Sequence, residues 1–269
     1  MPVRKQDQYD EPAALLLLLG LGRPCVLLST VFFAIFGMDN WRILAVVWAL
    51  IPLYNIYNFL TCPIEKLVED GESMSLRDLA RNKMFWLFIV LMVCADSSGI
   101  AMVQWAPAFA ESALHVSKSV GDLAGSCGFT VLMGVSRVLY GKFGGKIDLS
   151  VFMLGSGIMC LACYLIAGLA QIPVFGLIGC ALCGFSVGIM WPGSISISAR
   201  MLPTGGTALF ALLALAGDLG GALGPAIIGS VSERAGANLQ AGVLAGIGFL
   251  IGLMICVIAL RRLRRTQES

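Results

Sequence analysis

Eight apolar stretches run along the chain, each bounded by charged residues or by breaks rich in Pro and Gly, at roughly 12–36, 41–60, 84–108, 118–140, 149–170, 173–199, 207–231 and 237–260. A helix needs about 20 such residues to cross the hydrocarbon core of a bilayer, so the pattern predicts eight membrane spans. The first, built on the run Leu15 to Leu19, is read as a span and not as a signal peptide, because no small-residue cleavage site follows it in a polar context.

Lys and Arg are unevenly distributed between the connections, and that bias sets orientation. With the N-terminus in the cytoplasm, only Arg42, Lys118 and Arg234 fall outside and Arg23 falls within the first span, so the other fourteen of the 18 basic residues lie inside. Both termini are then cytoplasmic, as an even number of spans requires. The expectation is a multi-pass protein of the cell (plasma) membrane. One connection is long and polar, Thr61 to Lys83, and its Ser75-Leu76-Arg77-Asp78 has the Ser-x-x-Asp spacing that caps a short helix along the cytoplasmic face. It reads as a hinge between two bundles, of two spans and six.

Composition agrees: 58% of residues are hydrophobic and 13% charged, too oily for a water-soluble domain. Lys+Arg 18 against Asp+Glu 16 leaves a net charge of +2, too little for the broad basic field that binds nucleic acid. The 32 glycines lie inside apolar runs, where they let helices approach closely, and not in polar low-complexity segments.

The residues that carry information are the polar ones at membrane depth. Asp96 lies about 12 residues into the third span and Asp218 about 11 into the seventh, both counted from the cytoplasmic side, which at 1.5 Å per residue is roughly 17 Å deep. An ionised carboxylate at the midplane costs on the order of 2.5–3.5 kcal/mol, so each must face the bundle interior, a partner or water. We read them as functional groups of a shared cavity, ahead of structural hydrogen bonding to a neighbouring helix. Arg23 is a candidate counter-ion for one of them, which leaves the other able to take up a proton. Asn55, Asn58, Ser97, Ser98, Gln104, Trp105, Trp191 and Ser194 stand near them as groups a solute can use. For Trp105 and Trp191, interfacial anchoring or packing is an equal alternative. His115, in a short external loop with Glu111, is read as solvated. Pro107 is expected to close the third span, and Trp191-Pro192-Gly193 to interrupt the sixth.

Cys160-x-x-Cys163 and Cys180-x-x-Cys183 match the letter of a four-cysteine zinc pattern. Both pairs lie inside apolar spans without a polar second shell, so they are read as packing between helices. No metal and no cofactor is expected.

The segment Arg137-Val-Leu-Tyr-Gly-Lys-Phe-Gly-Gly-Lys146-Ile-Asp148, joining spans four and five, resembles the short basic loop of the major facilitator superfamily. Lys142, Gly144 and Lys146 match its basic-x-Gly-x-basic core, while Gly141 stands where an acid is usual and Arg137 where a glycine is usual. Together with the long central loop, the run 184 to 193 and the run 214 to 221, residues 12–260 resemble the last eight of that family's twelve spans. The resemblance implies an all-α polytopic membrane protein: 1–60 as the remnant of an N-terminal bundle, 61–83 as the central loop, 84–260 as a six-helix bundle and 261–269 as a basic tail. It implies a secondary transporter, similar to sugar permeases, moving a small solute by alternating access, with Arg137, Lys142, Gly144, Lys146 and Asp148 in a cytoplasmic gating loop. Four expected spans are missing. The chain is therefore read as truncated, as working with a second chain, or as a non-transporting scaffold.

An enzyme reading fares worse. Presenilin-like aspartyl proteases carry Gly-x-Gly-Asp, whereas here Leu215-Ala216-Gly217-Asp218 lacks the first glycine, and Asp96 follows Ala95 where those enzymes have tyrosine. A single histidine in an external loop cannot complete a serine-protease triad, and no phosphate-cradling Gly-Lys-Ser/Thr loop is present.

Overall fold

The computed structural model describes residues 32, 35–37, 40–61, 74–112, 125–143, 148–170 and 172–268. Most of the first span, Arg23, most of the central loop, His115, Gly144 and Lys146 lie outside them. Among the described residues every regular element is helical: α1 Trp41–Thr61, α2 Leu76–Arg81, α3 Lys83–Ser112, α4 Gly128–Phe143, α5 Leu149–Leu169, α6 Pro173–Val187, α7 Met190–Met201, α8 Gly206–Arg234, α9 Leu239–Ala245 and α10 Ile247–Glu268, with one turn of 3-10 helix at Pro203–Gly205. Among the described residues five segments are long and apolar enough to cross a membrane, Lys83–Glu111, Leu149–Leu169, Val174–Met201, Pro203–Arg234 and Leu239–Arg264. This is an all-α polytopic membrane protein, as the hydropathy pattern predicts.

The chain divides into two compact units, Met1–Glu69 and Asp70–Ser269. Within the first, α1 is mostly apolar and passes through Pro52. The second unit is a bundle with α3 at its centre, against which α8, α10, α6 and α7 pack. Its core holds Phe88, Leu91, Met92, Met102 and Phe109 of α3, Met153 and Tyr164 of α5, Met190 of α7, Leu209 and Leu213 of α8, and Leu250 and Leu253 of α10.

Lipid tails are as apolar as leucine, so helices in a bilayer associate through close packing and interhelical hydrogen bonds. The α3–α8 pair does both. Gly220 lies on the backbone of Val93 and Gly224 on that of Ser97, where a Cβ on Gly224 would sit 2.5 Å from the Ser97 carbonyl oxygen. Ser97 Oγ donates to the Gly220 carbonyl at 2.8 Å, and Trp105 Nε1 donates to the Pro225 carbonyl at 3.0 Å. Elsewhere the Tyr164 hydroxyl donates to the Ser98 carbonyl at 2.7 Å, and Gln240 Nε2 caps the end of α5 through the Ala170 carbonyl at 2.9 Å.

The four cysteines of the zinc-like pattern are buried between α5 and α6. Cys160 and Cys183 are in sulfur–sulfur contact at 3.5 Å, Cys163 meets Ser186 at 3.9 Å, and Cys180 meets the Met102 sulfur at 3.6 Å.

Several boundaries differ from the expected ones. Pro107 does not close α3, which continues to Ser112. Proline removes one backbone donor, and a helix supported by neighbours tolerates that loss. The break in the sixth span falls at Gly188 and Ile189, ahead of Trp191-Pro192-Gly193. Those three residues form the first turn of α7, where a proline costs no hydrogen bond within α7 itself. The basic residues after 260 continue helix α10, which runs to Glu268. The Ser75 cap is present: Ser75 Oγ accepts from Asp78 N at 3.2 Å and donates to Asp78 Oδ2 at 2.6 Å. The helix it starts buries Leu79 completely, and Met74 N donates to the Thr204 carbonyl at 2.8 Å, which pins α2 to the bundle.

Candidate functional site

Asp96 lies 13 residues after the start of α3, and Asp218 lies 12 after the start of α8. Both helices run in from the same end and lie close together: Gly220 lies beside Val93 and Gly224 beside Ser97, a register that puts Asp218 about five residues, roughly 7 Å, nearer that end than Asp96. The glycine spacing on α8 makes this approach possible. Asp96 Oδ2 lies 3.0 Å from where a Cβ on Gly221 would project, one helical turn after Asp218, and the two carboxylates are near enough to act on each other electrostatically. Asp96 is half-buried and Asp218 is exposed at the edge of α8.

A third wall comes from α7. The Trp191 indole lies over Gly217, its Nε1 2.9 Å from that residue's Cβ position, and the side chain is 38% exposed. The structure therefore sets Trp191 against Gly217 and Asp96 against Gly221, the two glycines on either side of Asp218 in α8. Neither glycine could be recognised as a lining residue from sequence alone; the Gly-x-x-x-Gly spacing around Asp218 is the only signal.

The other proposed pathway residues separate. Gln104 is exposed on α3, eight residues from Asp96 and so roughly 12 Å along the axis. Trp105 is turned into the α3–α8 seam by its bond to Pro225, which favours the packing alternative for it. Ser194 is buried and its hydroxyl donates to the Met190 carbonyl at 2.7 Å. Ser97 and Ser98 are buried, their hydroxyls donating to the carbonyls of Gly220 and Ala95. Asn55 and Asn58 fall on α1 with side chains outside the described residues, as does Arg23.

The proposed gating loop also resolves into parts. Arg137 is not in a loop: it lies on α4, half-buried, and its Nε donates to the Gly188 carbonyl at 2.9 Å. That carbonyl would be bonded by the N–H four residues on, but residue 192 is proline and has none. The guanidinium thus supplies the donor that Pro192 lacks and secures the α6–α7 break. Gly188 has to be glycine for this approach, because its Cβ position falls 2.8 Å from the Met133 carbonyl oxygen and 2.9 Å from Ser136 Cβ. Ser136 Oγ is buried beside it without a hydrogen-bond partner. Lys142 is exposed near the end of α4.

Asp148 caps α5 by accepting from Ser150 N at 2.9 Å and Val151 N at 3.3 Å, and it pairs with Arg264 of α10 at 3.2 Å. Burial acts to raise its pKa, but the N–H groups of Val151 and Ser150 and the charges of Arg264 and Arg261 outweigh it and hold the carboxyl below the ordinary value. A folded pKa below the unfolded one contributes stability above about pH 4 that is lost as the pH falls through the folded value. The group is exposed, so the contribution is small.

A family model described as Major Facilitator Superfamily matches residues 18–225 and, in a second placement, residues 87–269. No curated protein matches the chain. No solved structure matches it either.

Proposed function

Since this chain belongs to the major facilitator superfamily and is a membrane transporter of that kind, we propose that it moves a small solute by alternating access, with Asp96 and Asp218 as the groups that take up and release a proton. The observation that supports the reading is that two acids on facing helices lie near enough to act on each other, with the Trp191 indole on Gly217, next to Asp218, and with Asp218 exposed and Asp96 half-buried. A single proton on the pair removes the repulsion between two like charges in a low-dielectric surround. Its arrival from one side of the membrane and departure to the other would tie proton flow to the state of the cavity. Indole faces and carboxylate oxygens together suit a polar solute with apolar ring faces, which makes monosaccharides the first class to try. In the orientation that fits the basic residues, both termini are cytoplasmic.

The test is uptake of labelled monosaccharides into vesicles holding the purified chain under an inward proton gradient. Uptake is expected to fall at least about tenfold when a protonophore dissipates the gradient, the loss of a driving force of 1.4 kcal/mol or more. Uptake indifferent to the gradient would exclude proton coupling.

A further inference from the structure

Arg137 places a positive charge within α4, six residues and so roughly 9 Å before the helix ends at Phe143. Its Nε donates to the Gly188 carbonyl at 2.9 Å and its Nη2 lies 3.9 Å from the Met133 sulfur, and neither partner carries an opposing charge. No acid occurs on α4, α6 or α7, and among the described residues no carboxylate pairs with the guanidinium. The preceding residue, Ser136, is fully buried, and its hydroxyl has no hydrogen-bond partner and lies 3.1 Å from the Cβ position of Gly188. A half-buried cation and an unused donor therefore meet at the break between α6 and α7.

That break lies against the part of α3 that carries Asp96. Val187 packs on Gly99, three residues after Asp96, its Cγ2 3.5 Å from the Cβ position, and Ser98 Oγ lies 3.9 Å from the Met190 sulfur. Next along α7, Trp191 covers Gly217 beside Asp218. Arg137 is thus bonded to the short segment, 187 to 191, that touches both acid-bearing helices. A charge at membrane depth needs a counter-charge or water, and a solute that brings a negative group supplies one when it binds. The terminal N–H groups of a guanidinium match the two oxygens of a carboxylate in one plane, and a hydroxyl offers a further donor. One cation balances a monoanion, whereas a phosphate brings close to two negative charges.

We propose that Arg137 and Ser136 form the subsite for a carboxylate on the solute, so that the monosaccharide carried is a sugar acid. The carboxylate meets the Arg137 fork first and reaches the Ser136 hydroxyl as Gly188 moves off it. The inference rests on the transport reading and names the solute class for it: moved with one proton from the aspartate pair, a monoanion crosses without net charge.

The test is equilibrium binding, to the full chain in neutral detergent, of labelled glucuronate and of glucuronamide, which keeps the ring and replaces the carboxylate by an uncharged amide. Glucuronate is expected to bind at least about tenfold more tightly. Arg137→Lys keeps the charge but loses the fork, and is expected to cut glucuronate affinity by about tenfold while leaving glucuronamide within about twofold. Ser136→Ala breaks no hydrogen bond present in the structure. It is expected to cut glucuronate affinity by about threefold with the melting temperature unchanged, which separates the loss from a folding defect. Equal binding of the two sugars by the parent, no binding of glucuronate, or the parent's preference retained in both variants would overturn the proposal. Displacement of glucuronate by an equal concentration of chloride would also overturn it, by marking a site for any small anion. Failure of the transport reading looks different: glucuronate that binds as expected but is not taken up under a proton gradient leaves the subsite standing and removes the coupling. Gradient-driven uptake of an uncharged monosaccharide without glucuronate binding does the reverse.

Discussion

Asparagine at position 96 or 218 is expected to abolish gradient-driven accumulation while leaving exchange of solute across the membrane in place. Asparagine is close in shape to aspartate, so the contact of Asp96 with Gly221 and the α3–α8 seam survive. What is lost is the ability to carry a proton and a charge. Gradient-driven uptake should fall by at least about tenfold in either variant, equivalent to 1.4 kcal/mol or more. Counterflow of labelled against unlabelled solute, which needs no proton, should stay within about twofold of the parent, or roughly 0.4 kcal/mol. Loss of both would assign the aspartates to solute binding or to folding.

The second large effect concerns the helix seams. Alanine at Gly220 or Gly184 is expected to destabilise the bundle severely, because each Cβ would fall inside a facing backbone, at the Val93 carbonyl and the Phe129 carbonyl respectively. Glycine to alanine within a helix is worth about 1 kcal/mol in favour of alanine. Driving two packed backbones apart costs about 1–3 kcal/mol or more, so the collision wins. Gly155, on α5 with nothing near its Cβ position, isolates the first term, and Gly155→Ala is expected to raise the melting temperature. Thermal unfolding in detergent micelles separates the cases: a fall for Gly220→Ala and Gly184→Ala, a rise for Gly155→Ala. A rise for all of them would mean that the seams are loose.

Much of the architecture could be read from the chain because a bilayer imposes a simple length rule. Seven of the eight expected spans coincide with helices among the described residues, with ends displaced by up to about ten residues. The places of Asp96 and Asp218, 13 and 12 residues into their helices, were within a residue or two of those counted from the sequence. The limits lie where a role depends on a contact far along the chain. Arg137 and Gly188 are 51 residues apart, and Trp105 and Pro225 are 120 apart. No local pattern distinguishes an arginine repairing the backbone at Pro192 from one in a gating loop, or an indole in a seam from one facing a solute. Trp191 and Trp105 looked equivalent in sequence; only the packing of Gly217 and Gly229 against them separates their surroundings.

The central claim is that Asp96 and Asp218 share an opening reached by water, and thiol chemistry reads this most directly. Cysteine introduced as Asp218→Cys should react with a membrane-impermeant methanethiosulfonate in vesicles well above the background of the unsubstituted chain, because only a hydrated thiol forms the reactive thiolate. A residue 218 that stays inert in the bilayer and labels only after denaturation would place that side chain in hydrocarbon, and the transport site described here would not exist.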